Sequence, residues 1–450
     1  MDYFNLKFHK TTIKNEIFAG IAMFLAMSYI LVVCPSLLSE AGMSYNGVFL
    51  ATVCVSGFTT IISAFYTKLP IALAPGLGVT SMFLGFATRE QGIHWSVLLL
   101  ATYLSGIVIY GFVRFGVYDM ITETMGLDFR RMLMSGIGLA LFLYGISTTG
   151  LLEKKYGFYT LGRIAPTPLI VCGISLVIIY ILKRKNKRGF VLIGLIVAYF
   201  LSMSMSYYEA YQMSGISVSD YVDSVFSFSY DARELAHVML SFPDVIESFS
   251  EKHTLILFIN AVFMFTMGHF FDAIGTNTSS FDAIYSDIDD RMKDTISLKR
   301  AITVDGMGSI ISGLMGTPTV TAYGESLVGI VSGGKTGITA ITTGCLFLLC
   351  FFMAPLFTSM ATYVAAPALI YVGLTLLLRF REVDRSKTIL YLFGIVLVLY
   401  VGISFNVGNA VLYGLLIYML IKKFILKENV AGNLWIIPIF AVIHILLNLV

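Results

Sequence analysis

Four ionisable side chains stand within otherwise apolar stretches of the chain: Glu325, Asp272, His269 and Asp305. Ionisable groups are costly inside a membrane and mark places where a ligand binds, a proton moves or a partner is held. His269 and Asp272 are three residues apart, which puts them on one face of a helix. Because a carboxylate can accept N–H donors or carry a proton, these residues are candidates for binding a polar substrate and coupling its movement to protons.

Each of the four also has a structural interpretation. Glu325 could bond neighbouring N–H groups, but it sits at a broken helix, which favours a ligand or proton role. Asp272 could contact substrate or link the two halves of the chain, and His269 could act directly or only bond between helices. The sequence leaves both open. Asp305 stands beside Gly306 in a repeated context, which favours a structural role.

Composition defines the class of protein. Of the 450 residues, 57% are hydrophobic and only 13% are charged, less charge than a soluble domain needs. Apolar runs long enough to cross about 30 Å of hydrocarbon recur along the chain. The chain is therefore expected to be an all-α, multi-pass protein of the cell membrane, with the lipid bilayer and no nucleic acid as its partner.

The motifs of soluble enzymes are missing from the sequence, which has no phosphate-binding loop, Cys/His metal cluster or nucleophile elbow. No enzyme activity, metal or cofactor is expected. Without a nucleotide site, transport would be driven by an ion gradient or be passive.

Fourteen apolar segments are predicted as spans. They lie at 15–38, 48–66, 70–87, 94–115, 131–152, 166–183 and 189–207, then at 254–274, 298–315, 317–334, 336–358, 361–379, 387–404 and 407–423. This predicts a first repeat over 1–207, an extracellular polar connection over 208–253, a second repeat over 254–423 and an apolar C-terminal segment over 424–450.

Positive charge predicts the orientation of these spans. Most clusters of Lys and Arg fall on the side of the N-terminus, which is therefore expected to be cytoplasmic. Whether 433–449 makes a further crossing is left open.

Two short stretches echo each other across the chain. Pro-Ile-Ala-Leu-Ala-Pro-Gly at 70–76 reappears as Pro-Thr-Val-Thr-Ala-Tyr-Gly at 318–324. The prolines forbid continuous helices, so each stretch is predicted to be extended and followed by a half-helix, beginning near Gly76 and Gly324. Glu325 would lie one residue inside the second half-helix. Matched breaks in two repeats predict a transporter whose binding site lies where the broken segments meet.

Several stretches resemble one family along nearly the whole chain, notably residues 24–33, 72–78, 271–276 and 316–326. They are similar to the AzgA-like guanine/hypoxanthine permeases, a branch of the nucleobase–cation symporters. The resemblance implies a uracil-permease-like fold of fourteen spans in two inverted seven-span repeats, with core and gate domains and short strands in spans three and ten. It also implies proton-coupled purine uptake, with the substrate between those spans and span eight.

The same resemblance assigns roles to single residues. The family's span-ten Glu corresponds to Glu325 and an Asp of its span eight to Asp272. The chain departs from the family at Cys34 and Thr80, where relatives carry Asn, and at His269, where they carry Asp. A His in place of an Asp can donate to a purine carbonyl, which predicts a preference for oxopurines over adenine.

The expected function is import of a purine base, of the guanine, hypoxanthine or xanthine type, by proton symport. An adenine-preferring or uric-acid permease of the same fold and an anion transporter of similar architecture are the alternatives, and a homodimer is left open. Tyr323 is the favoured ring to stack on the base. The expected substrate-binding residues are Glu325, His269, Asp272, Thr80, Tyr323, Gly76, Gly78, Phe83, Ser326 and Cys34, of which Glu325, His269 and Asp272 also couple protons.

Overall fold

The computed structural model describes residues 3–427 except 5, 89–91, 117–126, 156–157, 164, 186–189, 215–216, 221–231, 240–251, 286–294, 354–360 and 405–406. The predicted C-terminal segment at 433–449 lies outside the described residues.

Helices account for most of the described chain, and every predicted span coincides with helical structure. The helices are α1 (Ile13–Met27), α2 (Ile30–Ser39), α3 (Tyr45–Thr67), α4 (Leu77–Ala87), α5 (Trp95–Arg114), α6 (Leu127–Thr148), α7 (Pro166–Arg184), α8 (Phe190–Ser214), α9 (Ala232–Val238), α10 (Lys252–Tyr285), α11 (Thr295–Met315), α12 (Ser326–Val331), α13 (Gly337–Leu349), α14 (Ala366–Leu377), α15 (Thr388–Ser404) and α16 (Val407–Leu420).

Breaks inside spans limit how many single helices could cross a bilayer. Among the described residues, six helical stretches are long and apolar enough by themselves. The first, Ile13–Ser39, is divided between α1 and α2 at Ser28 and Tyr29. Pro35 lies within α2 and cannot donate a backbone hydrogen bond, which favours a kink on its N-terminal side. The break leaves Tyr29 at a bend within the membrane.

The helices pack in two groups. The core group contains α1 to α5 with α10 to α13, and the gate group contains α6 to α8 with α14 to α16. In the core, Gly106 of α5 lies so close to α11 that a side chain there would strike the backbone of Ile310. In the gate, Gly138 of α6 meets the backbone of α14 in the same way. Close backbone approach at small residues is the usual way for helices to associate in a bilayer.

Spans three and ten each contain a short strand, as the sequence predicted. Strand β1 (Leu73–Pro75) pairs antiparallel with β4 (Val320–Ala322), with Ala74 opposite Thr321. Alternation separates two faces of this pair. Leu73 and Val320 join an apolar cluster on one face, and Ala74 and Thr321 point to the other. The two halves of the chain are therefore joined at the centre of the core group.

A hydroxyl group satisfies the outer edge of each strand. Thr60 of α3 bonds both the N–H and the C=O of Leu73, at 2.9 and 3.0 Å. Ser309 of α11 bonds the N–H and the C=O of Val320, both at 3.2 Å. Unpaired backbone groups are costly away from water, so these hydroxyls allow a sheet of only two strands to exist inside the membrane.

A hairpin follows span five. Strands β2 (Leu152–Lys155) and β3 (Phe158–Leu161) pair antiparallel, and α6 ends at Thr148 rather than at the predicted residue 152. Gly150, with a φ of +78°, turns the chain out of the helix.

Candidate functional site

The two half-helices begin differently. Helix α4 starts at Leu77, directly after Gly76, as predicted. Helix α12 starts only at Ser326, so the prediction that Glu325 lies inside it is wrong: Glu325 occupies the N-cap position. The reason is a tight turn, in which the N–H groups of Ser326 and Leu327 reach back three residues to Tyr323 and Gly324. Glu325 is thereby held at the corner between strand and helix.

Glu325 is bonded to a residue from the first span. The Tyr29 hydroxyl donates to Oε1 of Glu325 at 2.7 Å. Tyr29 is 2% exposed, whereas Glu325 is only partly buried. The bend between α1 and α2 therefore presents a hydroxyl donor to the carboxylate, which keeps further acceptor sites.

Asp272 reaches the first broken span. Its Oδ2 lies 3.5 Å from the position that a Cβ on Gly76 would occupy, and the Thr321 methyl group lies 3.0 Å from the same position. A Cβ at this position would be in ordinary contact with the Asp272 carboxyl group and tight against the Thr321 methyl group. Asp272 thus sits against the turn that precedes α4, on the face of the strand pair that carries Thr321.

Ser326 and Tyr323 tie the two broken spans together. The Ser326 hydroxyl accepts the N–H of Ala72 at 3.1 Å, and the Tyr323 hydroxyl donates to the carbonyl of Pro75 at 2.7 Å. Both side chains therefore fix the crossing of the two strands. The stacking role expected of Tyr323 stays a prediction.

His269 lies against α11. Its Nδ1 is 3.1 Å from the Ser309 hydroxyl, and its Nε2 is buried without a partner among the described residues. No hydrogen bond joins its ring to Asp272 in the described part of the chain, although both lie on α10. The structure therefore groups His269 with the hydroxyl that supports β4 and groups Asp272 with Gly76.

Asp305 has structural partners. Its Oδ2 accepts the Asn277 side-chain amide at 2.6 Å, and its carboxyl group interacts with the backbone of Ala322. It connects α10, α11 and β4, in line with the structural role that the sequence favoured.

Thr80 and Cys34 are both fully buried near the start of α4. The Thr80 hydroxyl donates to the carbonyl of Gly76 at 2.8 Å, and the Cys34 thiol lies beside the hydroxyls of Thr80 and Thr52. Both side chains therefore help to hold the turn at Gly76 in place.

Phe83 and Gly78 occupy two sides of α4. Phe83 is fully buried and stacks on Phe265, with ring centroids 6.0 Å apart. A Cβ on Gly78 would lie 3.1 Å from Cδ1 of Ile137 on α6. Phe83 therefore packs within the core group, and Gly78 marks where the core meets the gate.

Sequence reasoning missed three residues at the site: Tyr29, Thr321 and Arg379, whose Nη2 lies 3.9 Å from the position that a Cβ on Gly324 would occupy. Thr321 could have been found from the alternation Thr-Val-Thr in the strand, and Tyr29 from its place ahead of Pro35. Arg379 was counted only as a charge that orients the spans. No three His, Cys, Asp or Glu side chains in the described ranges come together to hold a metal ion. The site instead offers carboxyl groups that can accept N–H donors or carry protons.

The fold is shared with a solved transporter. The transmembrane domain of the cyanobacterial bicarbonate transporter BicA matches with a TM-score of 0.63 and 16% identity, covering 87% of this chain and 96% of that domain. Together with the predicted spans and both strand-containing breaks, the match confirms an all-α fold of about fourteen segments in a seven-plus-seven inverted repeat.

Two of the relatives carry the names of nucleobase permeases. Adenine permease AdeP of Escherichia coli K12 is 28% identical over 420 residues, covering 93% of this chain and 89% of AdeP. Guanine/hypoxanthine permease GhxP of Escherichia coli O157:H7 is 28% identical over 422 residues, covering 92% of this chain and 88% of GhxP. The sequence model of the Permease family (Xan_ur_permease) matches residues 14–408. The chain therefore belongs to this family of membrane transporters, and its resemblance to the guanine/hypoxanthine permeases is confirmed.

Proposed function

We propose that this chain imports purine bases of the oxopurine type, guanine, hypoxanthine or xanthine, by proton symport. The observation that carries the proposal is the position of Glu325, at the corner of the second broken span with Tyr29 on one carboxylate oxygen. Oxopurines present ring N–H groups and, in guanine, an exocyclic amino group. A carboxylate accepts such donors through charge-assisted bonds, roughly twice as strong as neutral ones.

Proton coupling is supported by two carboxyl groups from different spans. Asp272 of α10 and Glu325 before α12 interact electrostatically, so the ionisation of one affects that of the other. A proton that neutralises either carboxyl group lowers the cost of moving the site across the membrane. The side that carries the N-terminus is proposed to be cytoplasmic, so that import runs toward that side.

An anion transporter is the second candidate, favoured by the likeness in fold to BicA. Anion sites use helix N-termini and cations, and a carboxylate at the same corner opposes them. The carboxylates of this site therefore favour a base over an anion.

The test is uptake into vesicles reconstituted with the purified protein. Labelled hypoxanthine should accumulate when an inward proton gradient is imposed, and a protonophore should abolish the accumulation. Uptake of labelled bicarbonate under the same conditions should be absent. Accumulation that needs sodium and no proton gradient would contradict the coupling ion, and bicarbonate uptake without purine uptake would contradict the substrate.

A further inference from the structure

Arg379 lies close to the start of the second half-helix. It lies in the 3₁₀ turn Leu378–Glu382 that continues α14. Its Nη2 is 3.9 Å from the position that a Cβ on Gly324 would occupy, and Gly324 directly precedes Glu325. The guanidinium group of a gate helix therefore reaches the corner at which the core presents its carboxylate.

Arg379 interacts electrostatically with both carboxyl groups of the site, those of Glu325 and Asp272. It forms no direct ion pair with either one within the described residues, so its N–H donors are not committed to a carboxylate oxygen. A partly buried guanidinium beside two carboxyl groups has its own charge compensated but retains hydrogen-bonding capacity.

The turn that carries Arg379 is anchored to the gate. Arg131 of α6 holds the end of the turn through Glu382, with 3.3 Å from Nε to Oε2 and 2.8 Å from Nη1 to the carbonyl oxygen. The close backbone approach at Gly138 fixes α14 against α6 just before it. Arg379 thus belongs to the gate, whereas Glu325 and Asp272 belong to the core.

We propose that Arg379 is a specificity-determining residue that binds the acceptor edge of the substrate, while Glu325 binds its donor edge. The inference rests on the proposed function and names the feature of the base that is recognised. The planar guanidinium fork matches the O6 and N7 acceptors of an oxopurine, as it does in guanine recognition. Adenine carries an amino donor at C6, which faces a donor in Arg379 and gains no such pair.

His269 and Arg379 lie at different places around the site. His269 was the expected donor to a purine carbonyl, and that role stays a prediction: its Nδ1 meets the Ser309 hydroxyl behind β4, and its Nε2 is buried without a partner among the described residues. Arg379 supplies a donor at the corner of Glu325 itself. Because it is mounted on the gate, an oxopurine held between Arg379 and Glu325 would join the two groups of helices, and adenine would not.

The test measures binding of labelled hypoxanthine and labelled adenine to the purified full chain in detergent. Arg379→Gln should weaken hypoxanthine binding by about tenfold or more and change adenine binding by less than about threefold. Arg379→Lys keeps the charge without the fork and should recover only part of the loss. Arg381→Gln, an exposed neighbour in the same turn, is the matched control and should change neither affinity.

The possible outcomes distinguish a failure of the proposed function from a failure of the role proposed for Arg379. If the wild-type chain binds no nucleobase, the proposed function fails and the inference fails with it. If the wild type binds hypoxanthine and Arg379→Gln weakens both bases equally, Arg379 is only a counter-charge and the inference alone is wrong. Unchanged hypoxanthine binding in a well-folded, monodisperse variant would also overturn it.

Discussion

At the scale of single residues, the site depends on a carboxylate that is held from one side and open to donors on the other. Glu325 is fixed by the turn 323–326 and by the Tyr29 hydroxyl at 2.7 Å. A carboxylate fixed in this way has lost its orientational freedom before a ligand arrives, which reduces the entropic cost of binding. The two residues therefore make separable contributions, one as acceptor and one as support.

Replacement of the acceptor should be the more severe change. Glu325→Gln keeps the shape but presents an amide N–H to the donors of the base, and we expect binding to fall by about tenfold or more. Labelled hypoxanthine binding to the purified variant checks this, with retention of the unfolding temperature as the control for folding. Normal binding would remove Glu325 from the site.

Removal of the supporting hydroxyl should be milder. Tyr29→Phe deletes the donor to Oε1 without changing the ring, and the expected loss in affinity is about three- to tenfold, the size of one net hydrogen bond. Tyr363→Phe, which removes a hydroxyl paired with Ser202 at 2.7 Å in the gate, is the matched control and should leave affinity unchanged. Equal effects of the two variants would mean that Tyr29 acts only on general stability.

At the scale of elements, the crossing of β1 and β4 is built from two strands whose free edges are closed by helix side chains. Thr60 stands three residues after Gly57, and Ser309 stands three residues after Gly306. Each bonds the N–H and the C=O of one strand residue. The inverted repeat therefore extends from the backbone to the hydroxyl groups that allow an interrupted span to remain in the membrane.

Loss of one such hydroxyl should destabilise the core group. Thr60→Val preserves shape but leaves two buried backbone groups of Leu73 without this partner, at a cost of about 1–3 kcal/mol. The neighbouring Thr59 bonds only Val55 of its own helix, so Thr59→Val should cost less than about 1 kcal/mol. Thermal unfolding of both variants in detergent measures the difference. Equal shifts in the two variants would show that the bonds from Thr60 to Leu73 add no more stability than the bond from Thr59 to its own helix.

The same crossing shows how far sequence reasoning reaches. Proline and glycine predicted both breaks and strands, because their effects on the backbone are local. The echo of the sequence matches Leu73 with Thr321, but the structure makes Leu73 equivalent to Val320, since both lie on the apolar face and both have a hydroxyl at their edge. A shift of one residue reverses the faces of a strand, and only the pairing register decides it.

Contacts between residues far apart in the chain could not be predicted from the sequence, for another reason. Tyr29 and Glu325 are 296 residues apart, and nothing near either residue specifies the other. Arg379 looks like any charge at the end of a span until α14 is packed against α6. By contrast, Glu325 and Asp272 could be chosen in advance, because a carboxyl group in an apolar span has few other reasons to be there.

At the scale of the whole molecule, the core and gate groups meet beside α4. Gly78 of the core faces Ile137 of the gate, with 3.1 Å between the position of a Cβ on Gly78 and the Ile137 Cδ1 atom. At the far end of span one, the Tyr144 hydroxyl of the gate donates to Glu40 at 2.8 Å. If transport moves the two groups relative to each other, the spacing at Gly78 limits how closely they can approach.

A larger residue at position 78 should impair transport because it changes the distance between the core and gate groups, not because it alters contacts with the substrate. We expect Gly78→Val to reduce the rate of hypoxanthine uptake by about tenfold or more, because overpacked interfaces cost about 1–3 kcal/mol. Ile137→Ala in the same chain makes room and should restore a large part of the rate. Gly173, which has nothing within 4 Å of its Cβ position, provides the control, and Gly173→Val should transport normally. A Gly78→Val chain that Ile137→Ala does not rescue would place the defect within α4 and not in the approach of core and gate.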